Sequence, residues 1–272
     1  MEILRSLLFV PADSPKKIAK ARTLRPDAFI FDLEDAVAPD NKPVARKELA
    51  AELEGRSSSA SLVFVRVNSA KTNFFKDDLK AAVHPRVDGL VLPKSDDSVQ
   101  LAATNKEISR IEQEKGIAPG KTKLLLIIET VLGVVRAGDL AQCCSRVIGM
   151  AFGAEDYCAD IGVSRTRAGD EVAFPRAAVA IQARAHHLHA IDTVFTNLHD
   201  EQGFFEEARR VKQLGYTGKA LIHPSQIEMV HRAFAPEDHE VSWARRVVET
   251  YEAAKSAGVG VVSLDQKMID EP

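Results

Sequence analysis

Eight short apolar runs recur along the chain, each followed by a stretch of helical patterning, and this alternation limits the fold more than any other feature. The runs are Ile3 to Val10, Ala28 to Leu33, Leu62 to Val65, Gly89 to Leu92, Leu124 to Ile128, Val147 to Phe152, Ile191 to Phe195 and Lys219 to Ile222. Continuous apolar runs bounded by polar or turn residues suit strands covered on both faces of a parallel sheet. Parallel neighbours require crossover connections, which are right-handed and leave few topologies. The spacing predicts helices over about Pro15 to Leu24, Pro43 to Leu53, Phe75 to Val83, Asp96 to Lys115, Val131 to Ala141, Pro175 to His189, Glu201 to Leu214 and Gln226 to Phe234. Gly55 to Ala60 reads as a Ser-rich loop and Asp160 to Phe174 as an irregular charged insert. Eight such repeats predict a (β/α)8 TIM barrel over residues 1–235. A C-terminal extension follows over 236–272, helical from Pro236 to Ala257 and then extended. A doubly wound sheet stays open, because periodicity does not say whether a sheet closes.

Composition removes several function classes. A net charge of −3 gives no nucleic-acid footprint. No apolar stretch reaches the roughly 18 residues of a membrane span. The opening Met1-Glu2-Ile3-Leu4-Arg5 lacks the basic region and long apolar core of a signal peptide. Cys143, Cys144 and Cys158 are odd in number and lack metal-ligand spacing. Together these features predict a cytoplasmic chain with no disulfide framework, no nucleic-acid partner and no membrane contact.

In barrels of this kind the active site lies at the C-terminal ends of the strands. Those ends carry Asp32, Glu34 and Asp35, then Arg66 and Asn68, Lys94, Glu129, Glu155 and Asp156, Asn197, and His223. Glu129 and Asp156 follow neighbouring strands, so they stand side by side, as hard-oxygen donors for Mg²⁺ or as solvated strand-end acids. Arg66 suits a substrate carboxylate, which a guanidinium binds bidentately, while an ion-pair ring would have the same inventory. His186, His187 and His189 fall on one predicted helix with no acid at ligand spacing, and an exposed face explains them better than a metal. Gly133 to Gly138 lacks the lysine and the serine or threonine of a phosphate loop. Arg165 and Arg167 either meet a substrate anion or pair with Asp170 and Glu171.

Seven motifs then occur in order, most of them at predicted strand ends. They are Phe9-Val10-Pro11-Ala12-Asp13, Asp32-Leu33-Glu34-Asp35-Ala36-Val37, Val65-Arg66-Val67-Asn68, Leu92-Pro93-Lys94, Ile128-Glu129-Thr130, Gly153-Ala154-Glu155-Asp156 and Ile222-His223-Pro224-Ser225-Gln226-Ile227. Together they resemble the HpcH/HpaI aldolase superfamily, in its citrate lyase β-subunit-like branch, across nearly the whole chain. The resemblance implies a Mg²⁺-dependent carbon–carbon lyase acting on a 3-hydroxyacyl-CoA such as citryl-, malyl- or citramalyl-CoA. It implies Glu129 and Asp156 as metal ligands, with Glu34 and Asp35 behind metal-bound waters. Arg66 would hold a carboxylate or the enolate oxygen, and Lys16 and Lys20 the CoA phosphates. Ile222 and His223 would line the pantetheine or substrate wall.

The chemistry accounts for these residue types. Cleavage removes a hydroxyl proton and leaves an acyl-CoA enolate with a keto acid, so the enolate needs a fixed positive partner and a proton source. By the resemblance that source is Asp270, in a segment lying over a neighbouring subunit of a homotrimer. Two departures are visible: Gln266 stands where the family commonly has glycine, and the sequence stops at Pro272 where relatives continue into another helix. Three alternatives stay open. One is the β component of a citrate lyase complex, working on an acyl carrier protein thioester. The second is an aldolase for free hydroxy-keto acids, which would not need Lys16 and Lys20. The third is a catalytically idle binding protein.

Overall fold

The computed structural model describes residues 3–55, 61–256 and 258–270, so most of the expected Ser-rich loop lies outside the described residues. The chain falls into two compact units, one ending at Phe234 and the other beginning at Ala235. In the first, eight parallel strands pair in sequence order, and β1 pairs with β8 to close a barrel. The strands are β1 (Ser6–Pro11), β2 (Ala28–Asp32), β3 (Leu62–Arg66), β4 (Gly89–Leu92), β5 (Lys123–Ile128), β6 (Val147–Phe152), β7 (His189–Asp192) and β8 (Gly218–Leu221). Closure excludes the open doubly wound sheet.

The runs read as apolar throughout because each face of the sheet is buried in a different layer. Leu124, Leu126 and Ile128 of β5 join the layer between barrel and helices, whereas Leu125 and Ile127 fill the barrel interior. Ile30, Phe64, Val91 and Ile191 complete that interior from neighbouring strands. It is a packed core, so chemistry is confined to its ends.

Four local departures from the predicted elements shape the C-terminal end. The helix expected to start at Pro175 starts at Asp170, after Gly169 turns left-handed at φ 75°, and ends at Ala185. His187 is also left-handed, at φ 57°, and Leu188 bonds back to the Ala183 carbonyl, so the helix stops early. β7 therefore begins at His189, and the three histidines do not share a helical face; His189 is buried in the strand. As a result β7 ends at Asp192, leaving Thr193 and Val194 at the barrel mouth and Asn197 on an exposed loop. Glu155 and Asp156 lie in the first turn of a helix, Ala154–Asp160, rather than on the strand. The segment expected as one helix from Val131 is two, Val131–Val135 and Ala137–Gln142, broken at Arg136.

The second unit contains a helix, Asp238–Ser256, and an antiparallel hairpin, β9 (Val262–Leu264) and β10 (Lys267–Ile269), where extended chain was expected. Arg246 pairs with Asp265 at the hairpin turn, and Lys267 lies over the Trp243 ring at 5.1 Å. Among the described residues no helix is long and apolar enough to cross a membrane. Cys143, Cys144 and Cys158 are free thiols.

Candidate active site

Asp32, fully buried at the end of β2, organises the first wall. Its Oδ1 accepts the Glu34 N–H at 2.9 Å and its Oδ2 the Ala36 N–H at 3.1 Å, bending the chain back over the barrel. Buried Lys42 donates to the carbonyls of Leu33 and Glu34, both at 2.8 Å, and Asn68 Nδ2 also donates to Leu33. Asn68 is thus a brace of this loop. Arg66 is the register partner of Asp32 on β3, and the two form a bidentate pair at 2.7 and 2.6 Å. The guanidinium lies 4.8 Å from the Phe9 ring centre, and its remaining Nη1 faces Glu34 at 3.0 Å and Asp35 at 3.5 Å.

The second wall comes from β5 and β6. Ile128 pairs with Phe152, so Glu129 sits opposite Gly153. A β-carbon at Gly153 would lie 2.5 Å from Glu129 Cβ and 2.6 Å from its Oε2, so only glycine leaves room for that carboxylate. Asp156 comes from the helix just beyond, whose first N–H, on Ala154, donates to Thr193 Oγ1 at 3.1 Å. Lys94, at the end of β4, donates its backbone N–H to Glu129 Oε1 at 2.6 Å. Its ammonium lies 3.4 Å from Asp156 and 3.6 Å from Glu34.

The electrostatics are those of a site with too many acids. Asp32, Glu34, Asp35, Glu129 and Asp156 face two cations, Arg66 and Lys94. Burial, reinforced by the nearby Asp156, pushes the Glu129 carboxyl up to about 8. Burial, opposed by Arg66, takes Glu34 to about 7, and its buried Oε2 accepts no hydrogen bond. Partial burial would lower the Lys94 ammonium, but Glu34, Glu129 and Asp156 hold it above its ordinary value. Such an oxygen-rich, under-neutralised set fits a hard divalent cation. Among the described residues no three His, Cys, Asp or Glu side chains cluster as a metal cage. Two carboxylates completed by water are the usual way Mg²⁺ is held, and Glu129 and Asp156 are residues that could hold one in that way.

Phe9, Asp32, Asp35, Arg66, Glu129, Asp156, Thr193 and Ile222 line one open cleft of about 400 Å³. Lys16 and Lys20 are exposed on the Pro15–Ala21 helix, which leaves the same end of the barrel. His223 is exposed, with its Nδ1 2.8 Å from Ser225 Oγ, next to rather than on the cleft wall. Asp270 is exposed directly after β10, in the second unit. Arg165 and Arg167 pair with acids, Arg165 with Glu171 at 2.7 Å and Arg167 with Asp200 at 3.2 Å. Sequence reasoning placed Asp32 and Lys94 at strand ends without giving them roles. The Asp-x-Glu spacing that builds the Asp32 turn was a legible signal, whereas nothing in Leu92-Pro93-Lys94 announces the backbone geometry at Lys94.

The model of the HpcH/HpaI aldolase/citrate lyase family matches residues 5–224. Citrate lyase subunit beta of Escherichia coli strain K12 is 41% identical over 268 residues, covering 98% of this chain and 89% of that protein. A (3S)-malyl-CoA thioesterase of Cereibacter sphaeroides strain KD131 is 33% identical over the same shares of the two chains. Among solved structures, CitE from Mycobacterium tuberculosis in complex with magnesium, acetoacetate and coenzyme A is 31% identical and superposes with a TM-score of 0.81. That alignment covers 99% of this chain and 94% of the other.

Proposed function

The chain belongs to the HpcH/HpaI aldolase/citrate lyase family, and from that membership we propose how its cleft works as a Mg²⁺-dependent carbon–carbon lyase of CoA thioesters. The reaction splits a 3-hydroxyacyl-CoA, such as citryl-, malyl- or citramalyl-CoA, into an acyl-CoA and a keto acid, or joins them. The observation that carries the reading is the convergence of Glu129, Asp156 and Arg66 on one cleft at the C-terminal mouth of a closed barrel.

Glu129 and Asp156 would hold Mg²⁺, which when bound polarises the substrate's hydroxyl and carboxylate oxygens. Glu34 and Asp35 stand behind this pair, as hydrogen-bond acceptors for water in the cleft. The hydroxyl proton passes to water held by Glu34 and Asp35, C3 becomes the keto acid's carbonyl carbon as the C2–C3 bond breaks, and the electrons of that bond move onto the thioester carbonyl. Arg66 is fixed before substrate arrives, because Asp32 grips one edge of its guanidinium and Phe9 packs against its face. Its Nη1, turned away from Asp32 and toward Glu34 and Asp35, is the preorganised positive partner for the enolate oxygen. The enolate carbon then takes a proton from Asp270, contributed by a neighbouring copy in a homotrimer. Lys16 and Lys20 take the CoA phosphates, and Ile222 with His223 borders the pantetheine path. Three free thiols suit a reducing, cytoplasmic setting.

The test is keto acid release from the three thioesters, with Mg²⁺ and with EDTA. Expected is cleavage of one of them that stops with EDTA and falls at least about 100-fold in Glu129→Gln. Free CoA released without keto acid would instead mean thioester hydrolysis, as the name of the Cereibacter relative suggests. Cleavage seen only when a carrier-protein thioester is supplied would assign the chain to a multisubunit citrate lyase. EDTA-insensitive cleavage would overturn the role of Glu129 and Asp156.

A further inference from the structure

Lys94 takes no part in the chemistry above, yet three features converge on it. Its backbone is left-handed at φ 48°, a conformation that residues with a β-carbon rarely hold. That conformation aims its N–H at Glu129 Oε1, 2.6 Å away. Its ammonium stands 3.4 Å from Asp156 Oδ1 and 3.6 Å from Glu34 Oε1. One residue thus touches both carboxylates assigned to the metal, one through its backbone and the other through its side chain.

We propose that Lys94 is a positioning residue with two separable parts: a backbone donor that fixes Glu129, and a tethered counter-cation that shares Asp156 and Glu34 with an incoming divalent ion. The inference rests on Glu129 and Asp156 being the Mg²⁺ ligands. The ammonium is suited to the second part in a way that Arg66 is not. Arg66 is locked bidentately on Asp32, whereas Lys94 is half-exposed, on a flexible stem, and can withdraw. While it stays, it offsets the repulsion that would drive Glu34, Glu129 and Asp156 apart, so the ligands converge before the metal arrives. Because it competes for the same oxygens, it also weakens the metal's hold. The device trades affinity for a preformed site.

The test is Mg²⁺ titration calorimetry of the whole protein without substrate, at alkaline pH where the carboxylates are ionised. Lys94→Gly removes the ammonium but keeps the N–H in a backbone region that glycine enters freely. Its Kd for Mg²⁺ is expected to tighten about tenfold, as for removal of one close charge from a half-buried cluster. Lys94→Arg restores a cation and is expected to stay within about threefold of the parent protein. Lys94→Val also removes the charge, but a β-branched residue is the poorest occupant of left-handed backbone, so it is expected to bind at least about tenfold more weakly than Lys94→Gly. A Lys94→Gly Kd equal to or weaker than the parent's would overturn the counter-cation. A Lys94→Val Kd as tight as that of Lys94→Gly would overturn the backbone part. If the parent protein failed to bind Mg²⁺, or Glu129→Gln bound it equally well, the ligand assignment itself would fall, and this proposal with it.

Discussion

Glu129 is the side chain whose ionisation the fold opposes most visibly. Its carboxyl, ordinarily near 4.5, is pushed to about 8 by burial and by Asp156. Between those values the folded protein keeps a proton that the unfolded chain has already lost, so the contribution to stability declines as pH rises through that window. The metal-free protein should therefore melt at lower temperature at about pH 8 than at about pH 5, by an amount on the order of a few kcal/mol in stability. Glu129→Gln should flatten much of that slope, and Mg²⁺ should restore the midpoint at the higher pH while changing little at the lower. Thermal unfolding across the window checks this, and a flat profile in the metal-free parent protein would count against a buried, proton-holding Glu129. The place of Glu129, Asp156, Arg66 and Glu34 at the rim was legible in sequence, because they follow apolar runs; solvated acids or an ion-pair ring would have the same inventory, so composition did not give their roles. Their pairing was less so. The fork of Arg66, which looked free for a substrate carboxylate, is spent on Asp32, because two register partners at the ends of adjacent strands meet before any ligand does.

At the scale of elements, two features depend on charge or backbone geometry that no periodicity reports. Lys219, at the start of β8, is wholly buried, and its ammonium contacts Asp192, the Thr193 carbonyl and Glu207 within 2.5–2.8 Å. Arg176 forks both oxygens of Asp192, at 2.7 and 2.8 Å, and also meets Glu207. This lattice ties the ends of β7 and the helix Glu201–Gln213 to Thr193, which in turn accepts the first N–H of the helix carrying Asp156. Lys219→Met should destabilise the barrel by about 3–5 kcal/mol, since it strips a buried ammonium from Asp192 and Glu207 and leaves them sharing Arg176. Urea unfolding would show this, and a loss under about 1 kcal/mol would mean that Arg176 alone suffices. In the hairpin, Leu264 pairs with Lys267 across a two-residue turn, Asp265 and Gln266, with φ of 47° and 63°. Both central residues are left-handed, the geometry in which an Asp-Gly dipeptide is preferred. Gln266, with its β-carbon at φ 63°, is therefore a strained occupant. Gln266→Gly should stabilise the hairpin by about 1 kcal/mol, read as slower amide exchange in β9 and β10; unchanged exchange would argue against strain at this turn.

For the whole molecule, the question is whether one chain completes one site. If Asp270 of one copy serves the barrel of another, Glu129→Gln and Asp270→Asn are inactive separately for different reasons. Co-expressed as mixed trimers, they should regain about a quarter of the parent activity, because one site in four pairs an intact barrel with an intact tail. No recovery, with mixed oligomers demonstrated, would place Asp270 in its own chain's site or outside the chemistry. The sequence by itself determined eight two-sided apolar strands with intervening helices, which leaves a barrel or a doubly wound sheet as ways to bury their surface, and closure through β1 and β8 chose the barrel. It also determined which residue types reach the rim, because a strand end in such a barrel has one destination. Only the tertiary structure decided where β7 stops, that Glu129 needs the missing β-carbon of Gly153, that Arg66 belongs first to Asp32, and that Lys94 lies left-handed between the acids. These are contacts between residues 24 or more positions apart, or backbone angles imposed by them. Local sequence has no purchase on such contacts, which exist only once the ring of strands has closed.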